Sequence, residues 1–537
     1  METKWWQKSV VYQIYPRSFY DSNNDGIGDI NGIRKKLPYL EYLGIEVIWL
    51  SPVYCSPNDD NGYDISNYYD ISADFGTLEE MKLLIKEAKE HNIKIIMDLV
   101  VNHTSDEHQW FIEAKSDLHS KYRDYYIWRK GEKNPPNDLK SCFGGSAWEY
   151  DEKSGEYYLH FFSKKQPDLN WENPNMRKDI WQMMNFWIDL GIGGFRMDVI
   201  DLIGKIPDEK IKENGPKLHD YIKEMHRETL QDKDLLTVGE CWGANPEIAQ
   251  LFSAPERNEL SMVFQFEHIM LDQIGDDKWN LAPLNLLDLK RVFTKWQTEL
   301  FNKGWNSLFW DNHDLPRIVS RWGNDKEYRK ESAKMLAILL HGMQGTPYIY
   351  QGEEIGMTNI DFASLDDFAD IEAINVYKER IAKGYAKEDV LNSLRAKARD
   401  NARTPMQWNS QAYAGFSTVK PWYRVNKNYV DINVEKALAD KDSIFYCYKK
   451  LIQLRKENPI MVYGVYKPVL ENNKNIFAYK RIFEDKTWLV ICNFYDKHIN
   501  YSLEGRGKVV IANYTNVQTD LTKGELRPYE AIIFEMI

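Results

Sequence analysis

The chain has no apolar run near the ~18 residues of a membrane span, so no transmembrane helix is expected. Its opening segment, Met1-Glu2-Thr3-Lys4-Trp5-Trp6-Gln7-Lys8, lacks the apolar stretch of a signal peptide, and a cytoplasmic location follows by default. Cysteine is scarce: Cys55, Cys142, Cys241, Cys447 and Cys492 are odd in number and show no CxxC spacing, which argues against a disulfide framework or a structural zinc site. Cys241 directly follows Glu240, but no His lies beside it, so it reads as a packed small residue. Long basic runs are missing too, and the formal net charge is -12, so neither nucleic acid nor an anionic membrane is expected as the main partner. The chain shows no internal repeat and no low-complexity linker.

At 537 residues the chain has room for more than one domain. Aromatics make up 14% of it, a proportion compatible with the flat C–H faces of sugar rings as well as with ordinary core. Strand and helix patterns alternate over most of the length. Strands are predicted at Val10–Tyr15, Glu46–Leu50, Lys94–Val101, Gly194–Val199, Leu235–Gly239, Met262–Phe266, Ser307–Trp310 and Tyr348–Gln351, with amphipathic helices such as Thr77–His91 and Asn175–Leu190 between them. Eight strands with interposed helices predict an α/β fold, a parallel (β/α)₈ TIM barrel. The rhythm breaks from Thr104 to about Asp168, a stretch rich in Gly, Tyr, Trp, Asn and Pro that predicts an inserted subdomain overhanging the site. A second excursion runs from Gly352 to about Asn426. Beyond Met461 short alternating runs at Ile476–Lys480, Trp488–Phe494, Val509–Asn513 and Glu525–Phe534 predict an antiparallel β-domain. The expected division is barrel over 1–103 and 169–460, insertion over 104–168 and C-terminal domain over 461–537.

Three of the apolar runs stop at a carboxylate: Gly193 to Asp198, Leu235 to Glu240 and Leu308 to Asp314. A fourth, from Ile95 to His103, carries Asp98. One such end has a dull explanation, the cap of the next helix. Several pointing into one place predict chemistry at the C-terminal face of a parallel barrel, because a buried carboxylate is costly unless something uses it. Residues two apart on a strand share a face, so Arg196 lies beside Asp198 and favours its ionised form. Glu240 has no basic residue within four positions, which leaves it free to hold a proton.

The order Asp98…Asn102-His103, Gly194-Phe195-Arg196-Met197-Asp198, Gly239-Glu240, Asn312-His313-Asp314 resembles the four signature regions of the alpha-amylase superfamily, over essentially the whole chain. Gln166-Pro167-Asp168-Leu169-Asn170-Trp171 resembles its oligo-1,6-glucosidase branch. The short Ile203-Gly204-Lys205-Ile206-Pro207, followed by Asn214-Gly215-Pro216-Lys217-Leu218-His219, is most similar to the bacterial dextran glucosidases (glucan 1,6-alpha-glucosidases). The resemblance implies a retaining, exo-acting hydrolase of α-1,6-linked glucosides, with Asp198 as nucleophile, Glu240 as acid/base and Asp314 as third carboxylate. It implies further that His103 and His313 bond the same glucose, that Tyr63 stacks on it, and that Asp60 pairs with Arg403 to close the far end. Lys278 and Glu372 would meet the next sugar, and Val199 would favour α-1,6 over α-1,4 links.

Asp21-Ser22-Asn23-Asn24-Asp25-Gly26-Ile27-Gly28-Asp29 alternates oxygen ligands around a Gly, as calcium loops do, although Gly32 stands where an EF-hand needs Glu. A polar turn explains it equally well on sequence alone. The resemblance implies one structural Ca²⁺ on Asp21, Asn23, Asp25, the Ile27 carbonyl and Asp29, and no organic cofactor. A monomer acting on small oligosaccharides is expected. Neighbouring activities stay open: isomaltase, α-1,4-glucosidase, trehalose-6-phosphate hydrolase and sucrose isomerase. A non-enzymatic transporter subunit of the same fold is disfavoured, since the acid set is complete and no membrane span is present.

Overall fold

Eight strands whose residues are buried on both faces form one parallel sheet. They are β1 (Val11–Ile14), β2 (Val47–Leu50), β3 (Lys94–Leu99), β4 (Gly194–Met197), β5 (Leu236–Glu240), β6 (Met262–Phe264), β7 (Ser307–Leu308) and β8 (Thr346–Tyr350). Such runs read as unbroken apolar stretches because helices cover the outside and side chains fill the inside. The computed structural model describes residues 4–131 and 134–537. Pairing runs β6-β5-β4-β3-β2-β1-β8-β7, and a parallel bridge from Val263 to Asn306 joins the ends. Ser307 Oγ adds a 2.8 Å hydrogen bond to the Val263 carbonyl there, so the sheet closes into a (β/α)₈ barrel.

Local chemistry sets the element ends. Thr77 caps the helix Leu78–Glu90 through a capping box with Glu80, and Asn173 caps Pro174–Asp189 with Pro at its first turn. Gly194 begins β4 at φ +144°, and a Cβ there would sit 1.8 Å from the Leu236 carbonyl oxygen. Only glycine allows β4 and β5 to approach this closely, and these two strands deliver Asp198 and Glu240. Most of the strands are shorter than predicted, and two of them stop short of a site carboxylate. β7 stops at Leu308, so Asp314 stands on the loop beyond it, and β4 stops at Met197, one residue before Asp198.

Between β3 and β4 the chain makes a three-stranded antiparallel sheet, Trp128–Lys130, Glu156–Leu159 and Trp148–Asp151, with Glu156–Leu159 in the centre. A bridge from His103 to Asp168 ties its base to the barrel, and Val199 and Leu202 pack into its small core with Trp148, Tyr157 and Phe161. Residues 132–133 of this insertion and 1–3 at the start of the chain lie outside the described residues.

The C-terminal sheet has five antiparallel strands. They are β9 (Val465–Val469), β10 (Ile476–Phe483), β11 (Lys486–Asn493), β12 (Gly507–Ala512) and β13 (Ala531–Met536). β9 carries no clear alternation and was not expected. The predicted Glu525–Phe534 strand is two: Tyr529 at φ +52° breaks it, and Gly524–Leu526 pairs instead with Ile499–Tyr501. The sheet docks on the helix Arg329–His341. Tyr479 Oη donates to the Leu339 carbonyl at 2.6 Å, and buried Arg481 donates to the carbonyls of Gly464 (2.8 and 3.1 Å), Met461 (3.2 Å) and Gly342. Truncating Arg481 strands three buried acceptors at this interface. Arg481→Ala is expected to lower Tm by several degrees while leaving activity at low temperature near normal; calorimetry beside a kinetic assay checks both.

Candidate active site

Burial of one guanidinium organises the barrel mouth. Arg196, 1% exposed on β4, donates through Nη1 to Asp98 Oδ1 and Asp198 Oδ1, both at 2.8 Å, and through Nη2 to Glu240 Oε2. The expected Arg196–Asp198 contact is present. The expectation that Glu240 stands apart from basic groups is overturned, since Arg196 reaches it across 44 residues. Three carboxylates against one cation leave uncompensated negative charge in a buried place, which favours retention of a proton within the group. Burial pushes the Asp198 carboxyl well above its ordinary range; Arg196 opposes that rise, while Glu240 and Asp98 add to it. Burial likewise raises Asp98 against the pull of Arg196. Two further donors hold Glu240: Trp242 Nε1 to Oε1 at 2.9 Å and the Val199 backbone N–H to Oε2 at 3.3 Å.

Asp314 sits in a different electrostatic setting. Burial opposes its ionisation, but the His313 ring and the Arg399 and Arg403 guanidiniums beside it hold it well below the usual carboxylate range. Arg403 Nη2 donates to Asp314 Oδ1 at 2.8 Å, and Arg399 Nη1 lies 3.4 Å from the same oxygen. His313 Nδ1 accepts from Gln13 at 2.8 Å, which leaves the proton on Nε2, 3.3 Å from Asp314 Oδ2. His103 donates through Nε2 to the Tyr63 carbonyl at 3.0 Å. Burial lowers His103 to about 4 and His313 to about 3, so both rings are neutral at pH 7.

The expected Asp60–Arg403 pair does not form. Asp60 accepts from Arg399 Nη2 at 3.0 Å and from Gln166 Nε2 at 3.2 Å, while Arg403 turns to Asp314 and the His313 carbonyl. Arg399 and Arg403 are four residues apart and both contact Asp370, so one acid orients two cations. Tyr63 lies between Asp60 and the acid cluster, stacked on His313 at 5.2 Å and donating to Asp98 Oδ2 at 2.9 Å. Lys278 and Glu372, 94 residues apart, meet at 2.8 Å between the strand Asp277–Leu281 and the helix Ile371–Ala382. Asp60, Tyr63, His103, Asp198, Glu240, Lys278, Asp314, Glu372 and Arg399 line one cavity of about 1340 Å³, which Trp242 also borders. Four contributors escaped the sequence reading: Arg399, Asp370, Gln166 and Trp242. The Arg399/Arg403 spacing and the Gln166 motif were visible signals; Asp370 offered none.

The Asp21–Asp29 loop follows β1 and leads into the helix Ile30–Leu43. Asp21 Oδ1 accepts from the N–H groups of Asn23 (3.2 Å) and Asn24 (2.7 Å), and its Oδ2 from Gly26 N (2.8 Å) and Ser417 Oγ (2.5 Å). Asp25 accepts from Asn23 Nδ2 at 2.9 Å, and Asp29 caps the next helix by accepting from Gly32 N at 2.6 Å. No group of three or more His, Cys, Asp or Glu among the described residues is placed to hold a metal. A cation here would draw on the Asn23 amide and Ile27 carbonyl as well, an all-oxygen donor set that fits a hard ion.

This fold and acid cluster define a barrel enzyme with its chemistry at the C-terminal face. The Alpha-amylase family model, described as the alpha amylase catalytic domain, matches residues 13–464, and the SusG_C model, an alpha-amylase C-terminal domain, matches 476–533. The chain belongs to the alpha-amylase family. It is 60% identical to the glucan 1,6-alpha-glucosidase of Streptococcus pneumoniae serotype 4 and 55% identical to the oligo-1,6-glucosidase of Bacillus cereus, in each case over 100% of both chains. Its structure superposes on the trehalose-6-phosphate hydrolase of Bacillus licheniformis with a TM-score of 0.96 at 46% identity, over 99% of this chain and 100% of that one.

His103, His108, His268, His313 and His341 are all buried, and burial lowers each to about 3 or 4. The unfolded chain takes up protons near the ordinary ~6.5, which the folded chain refuses until far lower pH. The stability these five contribute is present above pH ~6.5 and is lost as pH falls toward 4. Buried carboxyls held above their ordinary range, Asp60, Asp98 and Asp198 among them, act in the opposite sense, so Tm is expected to fall only gently below pH ~6; calorimetry in buffers of different ionisation enthalpy measures the net proton exchange on unfolding.

Proposed function

We propose that the protein is a retaining, exo-acting α-glucosidase that cleaves α-1,6 links at the non-reducing end of isomaltooligosaccharides and dextran, releasing glucose. One observation carries this reading: Asp198 and Glu240 sit on adjacent nitrogens of a single guanidinium and line the same cavity. Two carboxyl groups held so closely suit the ~5–5.5 Å spacing of retaining enzymes rather than the ~6.5–9.5 Å of inverting ones. Full-length similarity to proteins named for α-1,6-glucosidase activity supports the linkage.

In this mechanism Asp198 attacks the anomeric carbon as Glu240 gives its proton to the leaving oxygen, and the glycosidic bond breaks. Glu240 then takes a proton from water, the water oxygen attacks the glucosyl ester, and α-glucose leaves with Asp198 restored. Arg196 compensates the charge that moves between the two acids. Asp314, kept ionised by Arg399 and Arg403, accepts from sugar hydroxyls, and neutral His103 and His313 hold the same ring against Tyr63. Asp60 with Arg399 ends the cavity, so a chain enters only by its terminal glucose. Lys278 and Glu372 meet the second sugar, and residues 104–168 serve as a cap domain over the site. Five unpaired thiols support a cytoplasmic enzyme, and small oligosaccharides acted on by a monomer complete the reading.

Val199 lines the cavity beside Asp198. Isomaltotriose is expected to be a much better substrate than maltotriose, and NMR of the reaction should show α-glucose first. Val199→Thr, which adds a hydroxyl at nearly constant volume, should narrow the gap in kcat/KM by about two- to tenfold, the worth of one neutral hydrogen bond. Equal efficiency on both trisaccharides would sink the linkage claim, and β-glucose appearing first would sink the retaining mechanism.

The same reading gives the Asp21–Asp29 loop one Ca²⁺ that stiffens it and takes no part in bond cleavage. Chelation is expected to lower Tm, because an ion bound only to the folded state stabilises it by mass action, and to spare activity at low temperature. An unchanged Tm in a metal-free preparation would remove the ion from the account.

A further inference from the structure

The cavity is larger than two sugars require. Its volume of about 1340 Å³ exceeds the ~300–1,000 Å³ of ordinary small-ligand pockets. Among its lining residues is Tyr385, in the turn between the helices Ile371–Ala382 and Lys387–Lys397 and 48% exposed. An exposed tyrosine in a turn is ordinarily a mobile surface residue. This one is held: its N–H donates to the Arg380 carbonyl at 3.1 Å, and the Arg380 guanidinium sits 5.0 Å from its ring centroid. Arg380 is itself only 8% exposed and donates to Asp277 Oδ2 at 2.6 Å and Asn280 Oδ1 at 2.9 Å. Those acceptors belong to the same short strand that carries Lys278. A buried cation braced on one strand thus backs an aromatic ring that is half exposed on the cavity wall. Trp242 (39% exposed) and Met270 (38%) give the cavity two more exposed apolar side chains, and Trp242 is fixed by stacking on Phe266 at 3.9 Å.

We infer that Tyr385 is a remote platform for the α-glucan chain, stacking a glucosyl unit beyond the first leaving sugar. The inference rests on the α-glucosidase reading above and adds to it a chain-length preference with a named cause. A sugar ring suits the place better than an anion: the neighbouring Lys383 is occupied by Glu379, and Arg380 by Asp277, so no free cation faces the ring from its own turn. Stacking of a sugar that is not itself attacked tightens binding of longer chains and leaves the chemical step alone.

The test compares kcat/KM for isomaltose, isomaltotriose, isomaltotetraose and isomaltopentaose in the native enzyme, Tyr385→Ala and Tyr385→Phe. The alanine variant should stay within about twofold of native on isomaltose and lose about three- to tenfold on the tetraose and pentaose, mostly through KM. The phenylalanine variant should keep the long-chain activity. Loss that is uniform across chain lengths, or no loss at any length, would overturn the platform. Failure of the native enzyme on isomaltose is a separate result, and it would remove the α-1,6 reading instead.

Discussion

Everything at the barrel mouth depends on the shared Arg196 guanidinium. A single buried cation touching Asp98, Asp198 and Glu240 cannot neutralise all three, which favours retention of a proton within the group. The backbone serves this arrangement directly. Gly194 lets β4 lie against β5, and the two strands end one residue before Asp198 and at Glu240.

The barrel was legible because parallel strands buried on both faces leave unbroken apolar runs, and the carboxylates that end them stand out against that background. All eight strands fell where the runs did. Short strands were the weak point: β7 pairs with β8 only through Ser307 and Leu308, and Phe309 and Trp310, which extended the apolar run, are buried loop. In the C-terminal sheet Tyr529 takes a left-handed conformation that no residue type announces, and one predicted strand became two. Among side chains, types and spacings were readable but partners were not. Arg196 reaching Glu240 and Arg399 reaching Asp60 are contacts over 44 and 339 residues, which only the closed fold decides.

The far end of the cavity shows how such contacts divide labour. Asp370 grips both Arg399 and Arg403, and the two guanidiniums then diverge, one to Asp60 and Asp314, the other to Asp314 and the His313 carbonyl. Two cations against three acids keep Asp314 ionised, whereas the more deeply buried Asp60 is pushed up to about 7 by burial against the pull of both arginines. The end of the cavity is therefore a charged plate held rigidly from behind. A sugar hydroxyl meets fixed acceptors there, and ordering them costs little at the moment of binding.

Val199 joins these features. Its φ of +34° is a left-handed conformation that a β-branched residue rarely adopts and that costs on the order of 1–3 kcal/mol. Two contacts explain why the fold tolerates it. The turn aims the Val199 N–H at Glu240 Oε2, 3.3 Å away, and drives the side chain into the core of the insertion beside Leu202, Trp148 and Tyr157. One residue thus fixes the proposed acid, follows the proposed nucleophile and anchors the segment that overhangs both. Because Val199 both borders the cavity and packs into the insertion, a change of side chain there acts on the wall beside the proposed nucleophile without moving the backbone N–H that meets Glu240, which makes position 199 a natural place for linkage preference to be set.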